Sequence, residues 1–234
     1  MIWGYRVKKA KFIVFGVLMS ISFHQSAQQS SDPFESVNRK VYGFNSLVDS
    51  VALKPLAKGY KAVTPDVVEK GVGNFFGNIG DVGTLVNNVL QLKLRDAAVD
   101  FSRVVFNSTI GLGGVIDVAS GMGLEKHSED FGQTLGAWGV PAGPYLVMPL
   151  FGPSTLRDAP ASFVPLDAWR YVEHVPTRNV GYGTRLIDGR ARLFQAESLI
   201  SGDEYLFVRE AYLGNREKAV SDGASDEEYN EDDF

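Results

Sequence analysis

Beyond the first 27 residues, the chain offers two histidines for imidazole chemistry, His127 and His174. Glu129, Asp130 and Glu173 lie near them, so the chemistry on offer is metal ligation by neutral imidazole and carboxylate. The two histidines are far apart in sequence, and the chain holds no G-x-S-x-G elbow, no H-E-x-x-H and no phosphate-loop signature. Surface or capping roles suit them better, and neither a metal nor a cofactor is expected. Cysteine is absent from all 234 residues, which excludes thiol catalysis, thiolate metal sites and S-acylation. The glycines of "GVGNFFG" and "GLGGVIDV" lack the G-x-G-x-x-G spacing of a dinucleotide site and read as helix bends.

A second group of charges lies toward the C-terminus: Arg185, Asp188, Arg190 and Arg192, then Glu197, Asp203, Arg209 and Glu210. Such a set can be a solvated, ion-paired face. Alternatively, Arg185, Asp188, Arg190, Arg209 and Glu210 line an apolar cavity and meet a zwitterionic or anionic headgroup. Spacing alone does not separate the two. A third feature is "GPYLVMPLFGPSTLRDAPASFVP", residues 143–165, which is apolar yet carries five prolines and two glycines. Proline removes a backbone donor and kinks a helix from within, so regular structure is not expected across most of it. A long irregular apolar loop asks for a functional reason.

The elements that must position these groups read as helices. Asp32, Pro33 and Glu35 form an N-cap, first helical position and capping box. Phe34, Val37, Val41, Phe44, Val48 and Val51 follow as one amphipathic stripe that ends before Pro55. A second helix begins at Thr64 and Pro65, and bends or breaks are expected where Gly71, Gly73, Gly77, Gly80 and Gly83 interrupt it. Residues 93–109 put Leu94, Ala97, Ala98, Phe101, Val104 and Val105 on one face. Shorter helices are predicted over 128–138, 154–163 and 167–174, and two long ones over 178–199 and 203–220. No useful period-two alternation appears, so the fold class is all-α.

The totals bound what such a fold can serve. Residues 1–27 place Arg6, Lys8, Lys9 and Lys11 before an apolar run from Phe12 to Phe23, the pattern of a secretory signal peptide, too short to span a bilayer. The remainder carries 19 basic against 28 acidic residues. Seven of those acids fall in 221–234, which reads as a disordered acidic tail behind a single domain over 28–220. With no clustered Lys and Arg, nucleic acid is not an expected partner.

Six blocks in order resemble the MlaA family, also called VacJ: "DPFESVNRKVYGFN" (32–45), "GNFFGNIGD" with "NNVLQ" (73–91), "FNSTIGLGGVIDVA" (106–119), "FGQTLGAWGV" (131–140), "GPYLVMPLFGPSTLRDA" (143–159) and "DEYLFVREAYL" (203–213). The resemblance implies a flat ring of helices set in the outer membrane, facing the periplasm, with a central amphipathic channel. It implies a non-enzymatic role: removing mislocalised phospholipid from the outer leaflet and passing it to a soluble periplasmic carrier, in complex with a trimeric porin. Asn74 and Phe75, with Phe76, resemble a motif beside the channel and are candidates for gating. On the same reading Tyr145, Leu146, Val147, Leu150 and Phe151 face lipid or the channel mouth, where irregular backbone is tolerated if protein shields it. A periplasmic scaffold that docks to a porin and conducts nothing is the competing reading. Family members are typically lipoproteins, and this chain has no cysteine to acylate. It is therefore expected to carry no acyl chain and to hold the membrane through its own apolar surface and a porin.

Overall fold

The computed structural model describes residues 32–164, 166–197 and 199–222. The signal peptide and nearly all of the acidic tail predicted from sequence lie outside the described residues. Helix α1 (Glu35–Val48) starts two residues later than its capping sequence predicts: Phe34 flanks it, the Phe34 amide donating to Asp32 Oδ1 at 2.9 Å, and Glu35 pairs with Arg39 at 2.7 Å in place of closing a capping box. It does not stop before Pro55. A π-helical turn, Asp49–Leu53, carries the chain into α2 (Lys54–Val63), and Pro55 sits in the first turn of α2. Across that turn the Lys54 amide reaches back five residues to the Asp49 carbonyl. The widened turn makes room for a ring that would otherwise break the helix.

Helix α3 (Asp66–Leu90) runs for 25 residues without a break. The glycines do not break it, and tertiary contact supplies another reason for them. A Cβ on Gly73 would lie 2.1 Å from the Arg192 guanidinium, and one on Gly83 would lie 3.0 Å from the Leu166 carbonyl oxygen. These glycines let neighbours approach the helix closely. Helix α4 (Leu94–Thr109) turns back along α3 and makes the most extensive helix pair in the fold. Short helices α5 (Val118–Gly121) and α6 (Phe131–Ala137) follow, with Asp117 and Asp130 as N-caps.

The proline-rich stretch is not irregular throughout. Tyr145–Met148 (β1) and Gly152–Thr155 (β2) pair antiparallel, with Tyr145 opposite Thr155 and Met148 opposite Gly152. Both strands of a two-stranded sheet are edges, where a proline's missing donor is tolerated, and Pro153 sits opposite Val147. Pro149 falls in the turn, beside Leu150 in the left-handed region at φ 66°. The rest of the chain is α7 (Asp158–Ala161), a 3₁₀ turn (Ala168–Tyr171), α8 (Val175–Arg192), α9 (Phe194–Glu197) and α10 (Glu204–Val220). The helix predicted over 154–163 is thus strand, turn and a single helical turn, and that over 178–199 divides after Arg192. Apart from the hairpin, the described residues are helix and connections, an all-α fold.

Candidate functional site: an apolar exterior around a polar interior

Among the described residues, the largest side chains fully removed from solvent are Arg103, Asn87, Asn88, Thr134, Thr155, Asp100 and Ser154, all of them polar. Helix α4 shows how this arises. Of its predicted apolar stripe, Leu94 is 66% and Phe101 57% exposed, while Ala97 is buried together with Asp100, Arg103 and Asn107. Helix α3 does the same: Asn78, Asp81, Thr84, Asn87 and Asn88 face inward, and Val67, Val68, Val86 and Val89 face outward. The stripe of α1 is turned outward too, at Phe34, Val37, Phe44 and Val51. Water rewards the opposite distribution, and an exposed apolar surface of this extent marks a membrane or protein contact.

Inside, most of these polar groups pair with one another, while Asn78 Oδ1, Asp81 Oδ2, Asn88 Oδ1 and Arg103 Nε have no hydrogen-bond partner among the described residues. Arg103 donates to the Leu124 carbonyl at 2.7 Å and to Asp117 at 3.1 Å, with Asp81 Oδ2 3.6 Å from its Nε. Asp100 accepts from Asn88 at 2.7 Å and meets His127 Nδ1 at 2.9 Å. His174 instead caps α8, its ring meeting Thr177 Oγ1 at 2.7 Å. Among the described residues, no group of three or more His, Asp and Glu is placed to hold a metal ion.

Cavities adjoin this interior, and two of them are walled by the candidate residues Phe75, Phe76 and Arg185. One, of about 390 Å³, is polar and walled by Phe76, Asp81, Lys126, His127, Glu129 and Arg185. The other, of about 490 Å³, is an apolar groove along α3 lined by Val67, Val68, Val72, Phe75, Phe76 and Val115. Asn74 lies beside that groove, its amide donating to the Val115 carbonyl at 3.1 Å.

The five charges proposed as one polar lining are not brought together. Arg185 reaches the polar cavity and pairs with Asp167 at 2.9 Å. Asp188 is buried between α8 and α2, accepting from the Tyr60 hydroxyl at 3.0 Å and from Arg192 at 2.9 Å. Arg190 pairs with Asp49 at 2.6 Å and also with Glu197. Arg209 and Glu210 pair with each other at 2.7 Å on α10. Asp188, Arg190 and Arg185 link α8 to other elements while Arg209 and Glu210 pair within α10, and Arg185 alone of the five lines the cavity.

The hairpin divides its candidates as strand alternation requires. Tyr145 and Val147 point inward and join Tyr205 in a core with Val41, Tyr42 and Tyr212, which corrects the expectation that they face lipid or a channel. Leu146 is half-buried, and Leu150 and Phe151 at the turn are exposed.

A family model described as MlaA lipoprotein matches residues 30–219. The chain belongs to the MlaA family. The intermembrane phospholipid transport system lipoprotein MlaA of Escherichia coli K12 is 34% identical over 210 residues, covering 84% of this chain and 81% of that one. The protein of the same name from Haemophilus influenzae is 31% identical over 234 residues, with 92% of each chain covered. An uncharacterized protein of Rickettsia typhi is 43% identical over 195 residues, covering 81% of this chain and 78% of that one. A solved structure described as the structural basis for maintenance of bacterial outer membrane lipid asymmetry superposes with a TM-score of 0.70 at 31% identity, over 81% of this chain and 99% of that one.

In this MlaA family member, sequence reasoning passed over two residues that hold the hairpin in place. Asn38 exchanges hydrogen bonds with the backbone of Tyr145 and Val147, and Asn45 does so with Met148 and Leu150. A signal was available: two asparagines seven apart share one face of a helix, where their short amides compete poorly as helix formers unless they have a partner.

Proposed function

We propose that this chain is an outer-membrane component of phospholipid transport that withdraws mislocalised phospholipid from the outer leaflet and maintains lipid asymmetry. The observation that carries the reading is the reversed distribution of side chains: apolar faces of α1, α3 and α4 outward and Arg103, Asp100, Asn87 and Asn88 inward. Lipid is the solvent that rewards an apolar exterior, and a polar interior gives a charged headgroup a path that hydrocarbon denies it. No helix among the described residues is long and apolar enough to cross a membrane. The chain accordingly sits within the bilayer through many short amphipathic faces rather than a spanning segment. The transport named for its relatives agrees with this reading.

On this proposal the helices surround an amphipathic channel. Lipid passes through it to a soluble periplasmic carrier while a trimeric porin holds the ring in place. No catalytic residues are assigned, because moving an intact lipid breaks no bond. Deletion of the gene should raise outer-leaflet phospholipid, and re-expression of the chain should restore asymmetry. Unchanged outer-leaflet phospholipid in the deletion strain would refute the reading. Restoration by variants unable to admit lipid would favour the porin-docking scaffold.

A further inference from the structure

Among the residues lining the polar cavity and the apolar groove, Phe76 is the one common to both. Its ring is buried and braced edge-on by Phe75 at 5.2 Å and by Trp169 at 5.7 Å, while Phe75 and Trp169 stand 5.8 Å apart. Trp169 is anchored from behind. Its indole donates to the Arg178 carbonyl at 3.0 Å and packs against Gly181, where a Cβ would lie 2.1 Å from the ring. Helix α8 also borders both spaces, with Thr184 at the groove and Arg185 at the polar cavity.

The two compartments match the two halves of one molecule. Both fall within the size range of small-molecule sites. The groove presents valines and phenylalanines. The cavity presents charges of both signs, Lys126 and Arg185 with Asp81 and Glu129, and Lys126 pairs with Asp81 at 2.6 Å. Each of these charges is paired within the protein, Arg185 with Asp167 and Glu129 with Lys93, so a purely anionic ligand would break pairs and face two carboxylates, whereas one carrying both a phosphate and an ammonium can exchange into them with a counter-charge for each sign.

We propose that Phe76 is the movable wall of a single two-part site for a zwitterionic phospholipid, with the headgroup in the polar cavity and an acyl chain in the groove. This rests on the transport reading and names where that lipid binds. In the closed arrangement seen here the aromatic triad separates the compartments. A lipid occupies both when the Phe76 ring leaves its place between Phe75 and Trp169.

The chain has no cysteine, so single reporter sites can be introduced without background. Gly80 lines the polar cavity with nothing within 4 Å of an added Cβ, and Thr184 lines the groove. Full-length Gly80→Cys and Thr184→Cys, each labelled with bimane, are placed in phosphatidylcholine bilayer discs. The discs carry nitroxide either on the choline head or along the acyl chain. Head-labelled lipid should quench position 80 more than position 184, and chain-labelled lipid should reverse the order. In both reporters Phe76→Ala should speed exchange of nitroxide lipid by about tenfold, because two aromatic contacts that hold the wall are lost. Phe76→Leu, which keeps the bulk and loses the ring stacking, should fall between. Helical content by circular dichroism shows that each variant is folded. If Phe76→Ala does not fold, the Phe76→Leu exchange rate decides. Equal quenching of both positions by both lipids, or exchange unchanged by substitution at Phe76, overturns the assignment. A chain that restores lipid asymmetry in cells yet shows no quenching at either position overturns this site and leaves the transport reading standing. A chain that does neither overturns both.

Discussion

Asn38 and Val147, 109 residues apart, are joined by a buried hydrogen bond of 2.9 Å from the Val147 amide to the asparagine side-chain oxygen. The Asn38 amide returns a bond of 3.0 Å to the Tyr145 carbonyl. Helix α1 thereby closes the inner edge of β1 with one side chain in place of a third strand. Asn38→Ala should destabilise the fold by about 1–3 kcal/mol for each backbone group left unpaired. Denaturation in detergent measures that loss, and hydrogen exchange should show the Val147 amide losing protection first.

The hairpin should respond in opposite ways on its two faces. Val147 is 6% exposed and Phe151 67%. Val147→Asp puts a carboxylate among Tyr145, Tyr205 and Val41 and should cost several kcal/mol, seen as loss of a cooperative melting transition. Phe151→Asp should leave the melt nearly unchanged and lower both the share of protein recovered with membranes and lipid clearance in cells.

The α4 helix allows a direct test of the reversed distribution. Phe101→Gln on the exposed face should keep the melting temperature within a few degrees while weakening partition into vesicles. Asp100→Ala, on the inward face, strands Asn88 and His127 and should destabilise by about 1–3 kcal/mol per unpaired group. In a water-soluble helical protein the apolar substitution would be the damaging one.

Acid should loosen the junction of α6, α7 and α10. Burial pushes the Asp158 carboxyl up, but hydrogen bonds from Arg157 and Arg216 more than reverse this and bring it down to about 2. Asp130, also bound to Arg216, is lowered as well. A carboxylate depressed by folding stabilises at pH values above its unfolded value, and that contribution fades as pH falls through the folded one. Melting temperature should therefore hold near neutrality and fall between about pH 4 and pH 2. Asp158→Asn should flatten much of this decline and cost about 3–5 kcal/mol at pH 7, since it leaves the buried Arg157 charge without its carboxylate and Arg216 with Asp130 alone.

Much of the secondary structure was legible from residue order alone. The extent of α4 and the start of α10 at Asp203 are local signals, and local signals survive folding. Three readings failed because the deciding partner lies far along the chain. Pro55 does not end its helix, since a π turn absorbs the ring and sets Asp49 against Arg190. The α3 glycines do not break it, and those at 73 and 83 leave the space that Arg192 and Leu166 occupy. The proline-rich stretch forms a hairpin, since Asn38 and Asn45 supply partners that its own sequence lacks.

The sequence by itself determined that the chain is helical, free of cysteine, poor in catalytic groups and patterned with apolar stripes. Which way those stripes face was decided only in the tertiary structure. Periodicity records the angle between the apolar and polar faces of a helix and is the same whichever face turns inward. The choice belongs to the solvent and to long-range pairing: Arg103, Asp100 and Asn88 find charges and amides from other elements inside. Leu94 and Phe101 are left outside, an exposure that water penalises and hydrocarbon would favour.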